Sequence, residues 1–243
     1  MNHIWLRHFG RGIVATPENF GSNGARPSHP ALLDWLAAEF MAGGWKMKPM
    51  HRLIVTSSAY RMASTPDDAN AAIDADDMYL WRMPPRRMEA ELVRDNLLYV
   101  AGTLDLTRGG PDIDNLQGLA SKRRSIYLRT AAEKEVEFLK IFDGPNVNEC
   151  YQRHPTVMPQ QSLALANSEL TLAQSKVLAK GLADGNDAAF VCGAFERVLG
   201  RGPTDGETKT CLEFLKSKTR DPARLREDLF LVLFNHNDFV TIR

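Results

Sequence analysis

Between residues 186 and 234 the chain reads NDAAFVCGAFERVLGRGPTDGETKTCLEFLKSKTRDPARLREDLFLVLF, and this stretch decides the fold. Asn186 or Asp187 opens a helix in which Phe190, Val191, Ala194, Phe195 and Val198 recur every three to four positions. Gly200, free to turn left-handed, closes it. Thr204 and Glu207 stand three apart as a capping box, where hydroxyl and carboxylate each satisfy an amide left open by the first turn, so the next helix starts at Asp205. Asp221-Pro222 is again a start signal, a cap followed by a residue whose φ is already helical, and Leu225, Leu229, Val232 and Leu233 line the last helix. A helix over residues 159–182, with Leu163, Ala166, Leu170, Val177 and Leu178 inward, completes a C-terminal bundle joined by short loops.

The same periodicity extends upstream with more interruptions. Ser28 is placed to cap a helix with Pro30 in its first turn and Leu32, Leu33, Leu36, Ala37 and Phe40 on one face, stopped by Gly43-Gly44. A shorter helix from about Pro49 to Ala59 carries Met50, Leu53, Ile54 and Ser57. Residues 64–77 lack periodicity and read as a surface loop, whereas Ala90, Val93, Leu97, Val100, Ala101 and Leu104 predict a long helix over 86–104. Residues 107–115 are a turn, and 125–129 alternate just long enough for one strand of a small ribbon. The expected fold is mainly α: a helical first half, an irregular middle bearing a short β-ribbon, and a C-terminal helical bundle. It is one domain over 1–243, with subdomains 1–158 and 159–243 as the finer division.

Thirty basic and thirty acidic residues cancel, and the nearest approach to a basic stripe is Lys122-Arg123-Arg124, so nucleic acid is not the expected partner. No apolar run reaches the roughly 18 residues that a bilayer requires. The first ten residues hold charges and histidines where a secretory signal has its apolar core, so no targeting signal is expected in this stretch. Cys150, Cys192 and Cys211 show neither CxxC nor CxxCH spacing, which argues against attached haem or structural zinc. Cys192 and Cys211 read as small core residues on neighbouring helices, a bridge between them being the lesser alternative.

The chemistry-bearing residues form no complete motif. Six histidines show no HExxH or HxH spacing, and no metal site is expected. His8 and Arg11, flanked by glycines, are the best ligand-facing pair. His29 reads as a helix cap and His51 as a part-buried helix residue bonded to backbone. Arg87, Glu89, Glu91, Arg94 and Asp95 alternate along one helix, a pattern that usually means a solvated or inter-helix ion-pair network. The sharper alternative makes Glu91 and Asp95, one turn apart, paired carboxylates for acid/base work. Arg123, Arg124, Tyr127, Asp143 and Arg153 lie in the loop-rich middle, where a groove for a polyanionic or sugar-like ligand competes with plain surface solvation. Cys150 and His154 are close in sequence but lack the tight turn of an activated nucleophile.

Several strings remain that periodicity does not explain: Asn2-His3-Ile4-Trp5, His8-Phe9-Gly10-Arg11-Gly12, Asn19-Phe20-Gly21, Leu33-Asp34-Trp35-Leu36, His51-Arg52-Leu53-Ile54-Val55-Thr56-Ser57, Arg124-Ser125-Ile126-Tyr127, Pro159-Gln160-Gln161, Leu199-Gly200-Arg201 and Phe234-Asn235. In order and spacing they resemble the C-terminal domain of unknown function 1553, found in large planctomycete-type proteins. The resemblance spans nearly the whole chain and implies a context without a reaction. That context is an exported protein, periplasmic or at the cell surface, in which a separate module carries haem c and another domain precedes this one. It further implies that this chain is part of something longer and carries no cofactor itself. Its expected role is a structural or ligand-binding module docked on the preceding domain and presenting it to a partner or polysaccharide-like ligand, with Ile4, Trp5 and Phe9 exposed toward that domain. The alternative is half of an exported hydrolase or oxidoreductase site in which His8, Arg11, His51, Glu91 and Asp95 converge.

Overall fold

The computed structural model describes residues 1–145, 153, 155–182, 185–217 and 220–242. The architecture is mainly α, in two compact units: Met1–Arg86 with Ile242, and Arg87–Thr241. The division falls at residue 86 rather than 158, because the irregular middle packs onto the C-terminal helices.

In the first unit, α1 (Asn2–Phe9) ends at Gly10, whose φ of 77° is the left-handed closure that glycine tolerates best. Ile4, Trp5 and Phe9, expected at an exposed surface, are instead buried with Ile13, Leu36, Met50, Ile54 and Met83. Trp5 and Phe9 are one turn apart, so their rings stack at 4.2 Å within this cluster. The buried Asn2 amide grips Val14 at both ends, donating to its carbonyl and accepting from its N–H, each at 2.9 Å. α2 (Pro30–Ala42) has His29, not Ser28, at its N-cap, and no side chain caps it. The Ser28 hydroxyl is turned to the Ile13 carbonyl and the His29 ring. α3 (Met47–Val55) takes Pro49 into its first turn and stops before Ala59, where the Thr56 and Ser57 hydroxyls bond back to the carbonyls of Arg52 and Ile54. Within the expected loop 64–77 lies α4 (Asp68–Ile73), capped by the Asp67 carboxylate. It buries none of its residues, which is why no periodicity marked it.

Where the chain passes from the first unit to the second, a two-residue strand β1 (Arg86–Arg87) leads to α5 (Ala90–Val100), shorter at both ends than its apolar pattern. Residues 125–129, expected as a strand, form a 3₁₀ turn at Ser125–Tyr127, because Asp95 accepts both the Ser125 N–H (2.8 Å) and its hydroxyl (2.7 Å). The ribbon that does occur pairs β1 with β2 (Thr241–Ile242). After the short α6 (Glu137–Ile141), the predicted helix over 159–182 is two: α7 (Pro159–Asn167) and α8 (Glu169–Gly181). Ser168 ends one and caps the other, its hydroxyl accepting from the Thr171 N–H. α9 (Asp187–Leu199), α10 (Asp205–Leu215) and α11 (Pro222–Phe234) start where their caps predict, and α9 stops at a left-handed Gly200; both halves of the Thr204–Glu207 box are formed. Leu163, Val177 and Val232, read as inward, are exposed, whereas Phe230 and Phe234 are fully buried. Cys192 on α9 and Cys211 on α10 are free thiols.

Candidate functional site

In the first unit, a cavity is walled by Trp5, Phe9, Arg11, Gly12, Ser28, His29, Asp76, Asp77, Met78, Leu80 and Pro84. Its free volume of about 60 Å³ admits a few waters or the tip of a ligand, not a whole cofactor. The walls are fixed from below: the Asn2 clasp on Val14 leaves no room for a Cβ at Gly12, where one would stand 2.5 Å from the Val14 carbonyl oxygen. The opposite wall is the loop 74–80. There the Asp74 carboxylate accepts the N–H groups of Met78 (3.0 Å) and Tyr79 (2.8 Å), and its carbonyl accepts from the Trp81 indole (2.8 Å). Two non-glycine residues of this loop, Asp77 and Leu80, are held at φ of 52° and 54°, a strained setting for each. Burial pushes the Asp77 carboxyl above the usual carboxylate range, partly offset by the Arg82 backbone N–H.

His8 and His51, far apart in sequence, meet with Nε2 and Nδ1 at 2.8 Å, and Tyr60 stands edge-on to the His8 ring at 5.7 Å. One ring nitrogen must donate to the other, so the pair favours the state with at most one ring charged. Burial first, then His51 and the Arg86 charge, hold His8 below the ordinary histidine range. Arg11 lines the cavity. The ring of His29, expected to cap α2, accepts or donates at the Ser28 hydroxyl and sits edge-on to Tyr79 at 5.8 Å.

α2 supplies a different kind of surface. Of its thirteen residues only Leu36 is buried, although all but Asp34 and Glu39 are apolar or Pro. Ala31, Trp35, Ala38, Met41 and Ala42 turn away from Leu36, with Trp35 47% and Met41 53% exposed. At the following corner Trp45 is held at φ 61°, its N–H on the Phe40 carbonyl and its ring edge-on to Phe40, yet it is 66% exposed.

In the second unit the expected site residues are engaged with their own fold. Arg94 is fully buried rather than solvated: its guanidinium donates to the carbonyls of Gly118 (2.8 Å), Arg123 (2.9 Å) and Ser121 and to the Ser125 hydroxyl (3.2 Å). Asp95 faces Arg94 at 3.3 Å and Arg124 at 3.8 Å. Glu91 pairs with Arg153 at 2.8 Å, so the two carboxylates of α5 have different partners. Arg123 lies over the Tyr127 ring at 3.8 Å and donates to the carbonyls of Thr107 and Gly109, whose N–H in turn donates to the Tyr127 hydroxyl. Asp143 accepts from the N–H and hydroxyl of Thr156 and from Gln161, which also takes up Arg87. A second small cavity, of about 70 Å³, reaches Asp143 beside the Lys140–Glu135 ion pair. Cys150 and His154 lie outside the described residues. Among the described residues no group of three or more His, Cys, Asp or Glu is arranged to hold a metal, and no helix is long and apolar enough to cross a membrane.

The sequence missed Asp77, hidden in an aperiodic acidic loop, and the outer face of α2, whose apolar residues all read as core. The surplus of apolar positions on α2 was the available signal. A family model described as PSD1, protein of unknown function (DUF1553), matches residues 1–215. No curated protein and no solved structure matches the chain.

Proposed function

The chain belongs to the DUF1553 family of proteins of unknown function, and from that premise we propose that it is a docking module of a larger exported protein, resting on the preceding domain through the outer face of α2. The observation that carries this reading is a thirteen-residue helix with two charges and one buried side chain. Helices apolar on all sides are ordinarily covered on all sides. Trp35 and Met41 supply the kind of anchors that dominate interfaces, and the strained Trp45 corner holds a third aromatic outward. Export, a haem c module elsewhere in the same protein and a polysaccharide-like ligand belong to this proposal through the family resemblance. The chain's own part is to dock.

The test adds the separately produced preceding domain and follows melting of this chain. A partner that binds only the folded form at 100 times its Kd contributes about 2.7 kcal/mol, which in a protein of this size raises Tm by roughly 5–10 °C. Trp35→Glu should abolish the rise while leaving the melting of the chain alone unchanged. No rise at saturating partner contradicts the reading.

One observation favours the alternative, half of an exported hydrolase or oxidoreductase site: the His8–His51 hydrogen bond, with a His8 that stays neutral and able to accept a proton. In that reading His8 is the base and His51 orients it. Loss of turnover by the full-length protein in His8→Gln, with docking intact, would support it.

A further inference from the structure

From Glu39 the chain runs to Asp67 without another acidic residue, although acids and bases are equal in number over the whole sequence. Lys46, Lys48, Arg52 and Arg61 fall in that interval. It begins on the helix that carries the docking face, since α2 ends at Ala42 and a short corner leads directly into α3 at Met47. Every residue from Met41 to Pro49 is exposed, so apolar and basic side chains share one uninterrupted strip of surface. Met41, Trp45 and Met47 supply its apolar part, and Lys46 and Lys48 are interleaved with them.

α3 continues the strip. Met50 and Ile54 are buried, and the His51 ring is taken by His8 of α1. Lys48 and Arg52, both exposed, stand one turn apart on the outer side of the helix. Among the described residues neither of these two, nor Lys46, has a carboxylate partner. The nearest acids before the interval, Asp34 and Glu39, are on α2 itself. Charge is thus separated along the surface: carboxylates accompany the apolar residues of α2, and the corner and α3 present cations alone.

A partner that covers Trp45 comes over its neighbours Lys46 and Met47 as well. An ammonium that loses water without gaining a counter-charge opposes association, whereas a facing carboxylate offsets that loss and discriminates against partners of the wrong sign. Interfaces hold such charges at the rim of an apolar centre. With cations at one end of the strip and not at the other, a complementary surface has one preferred orientation.

We infer that the surface resting on α2 is a protein surface with carboxylates opposite Lys46, Lys48 and Arg52, beside the apolar patch that receives Trp35, Met41 and Trp45. This rests on the docking reading and adds the chemistry and the orientation of the partner.

The experiment treats the full-length protein, and the isolated chain in parallel, with a water-soluble carbodiimide. The reagent joins a lysine to a carboxylate in direct contact through an amide without a spacer, and peptide mapping by mass spectrometry locates the links. Lysine acetylation and hydroxyl-radical oxidation of Trp35 and Met41 are followed on the same two samples. The expected result is a link from Lys46 or Lys48 to an Asp or Glu of the preceding domain, and several-fold slower acetylation of both lysines in the full-length protein than in the isolated chain. Trp35 and Met41 shielded while the two lysines stay as reactive as in the isolated chain would overturn the inference and leave the docking reading standing. Shielded lysines that give no link to a carboxylate of the preceding domain would do the same. Equal oxidation of Trp35 and Met41 in both samples contradicts the docking reading, and the inference falls with it.

Discussion

The Arg94 guanidinium ties Gly118, Ser121, Arg123 and Ser125 to α5, so one side chain joins several turns of the irregular middle to the helix. Arg94→Met keeps much of the volume but strands three carbonyls and leaves Asp95 short of a partner. We expect a loss of about 3 kcal/mol in urea unfolding. Arg94→Lys should recover little of it, because an ammonium cannot reproduce the planar fork. His8 gives a second expectation. Its folded-state pKa is lowered, so below the unfolded value of about 6.5 the unfolded chain binds more protons. Stability should therefore be fully retained above that pH and fall as pH drops through it, until His8 itself protonates. His8→Gln should flatten the dependence below a pH of about 6.5, with His51, Tyr60 and Arg86 as the neighbouring groups; an unchanged slope would reject this assignment. Neither Arg94 nor Asp77 could be singled out from sequence, since burial of a charge depends on which distant carbonyls fold over it. The His8–His51 contact likewise required α1 and α3 to pack.

Among elements, the starts of the last three helices and the end of α9 were legible because capping is local: Asn186, Gly200, Thr204, Glu207 and Asp221 act within a turn of their own positions. Thr204→Ala should cost about 1 kcal/mol. Glu207 has a further role, since Arg201 holds it at a pKa of about 2, well below its ordinary value. That contribution is present above pH 4.5 and is lost as pH falls toward 2, with solvent screening keeping it small. Comparing acid unfolding of Glu207→Gln with the parent checks the sign. Errors arose where a local signal competed with packing. The apolar run 159–182 concealed the Ser168 break, and the alternation at 125–129 lost to hydrogen bonds from Asp95. On α2 the outward residues are as apolar as the inward ones, so periodicity could not tell a core stripe from a surface to be covered.

For the whole molecule, the mainly α class follows from patterns that repeat every three to four residues, but the division at residue 86 does not, because Arg94 draws the irregular middle onto the second unit. A docking module has the outer face of α2 covered in the full-length protein. Hydroxyl-radical footprinting of Trp35 and Met41, in the isolated chain and in the full-length protein, tests this directly. Strong protection of both side chains in the full-length protein, with exposed Tyr99 of the second unit equally reactive in each, is the expected result. Equal reactivity of Trp35 and Met41 in both forms would contradict it.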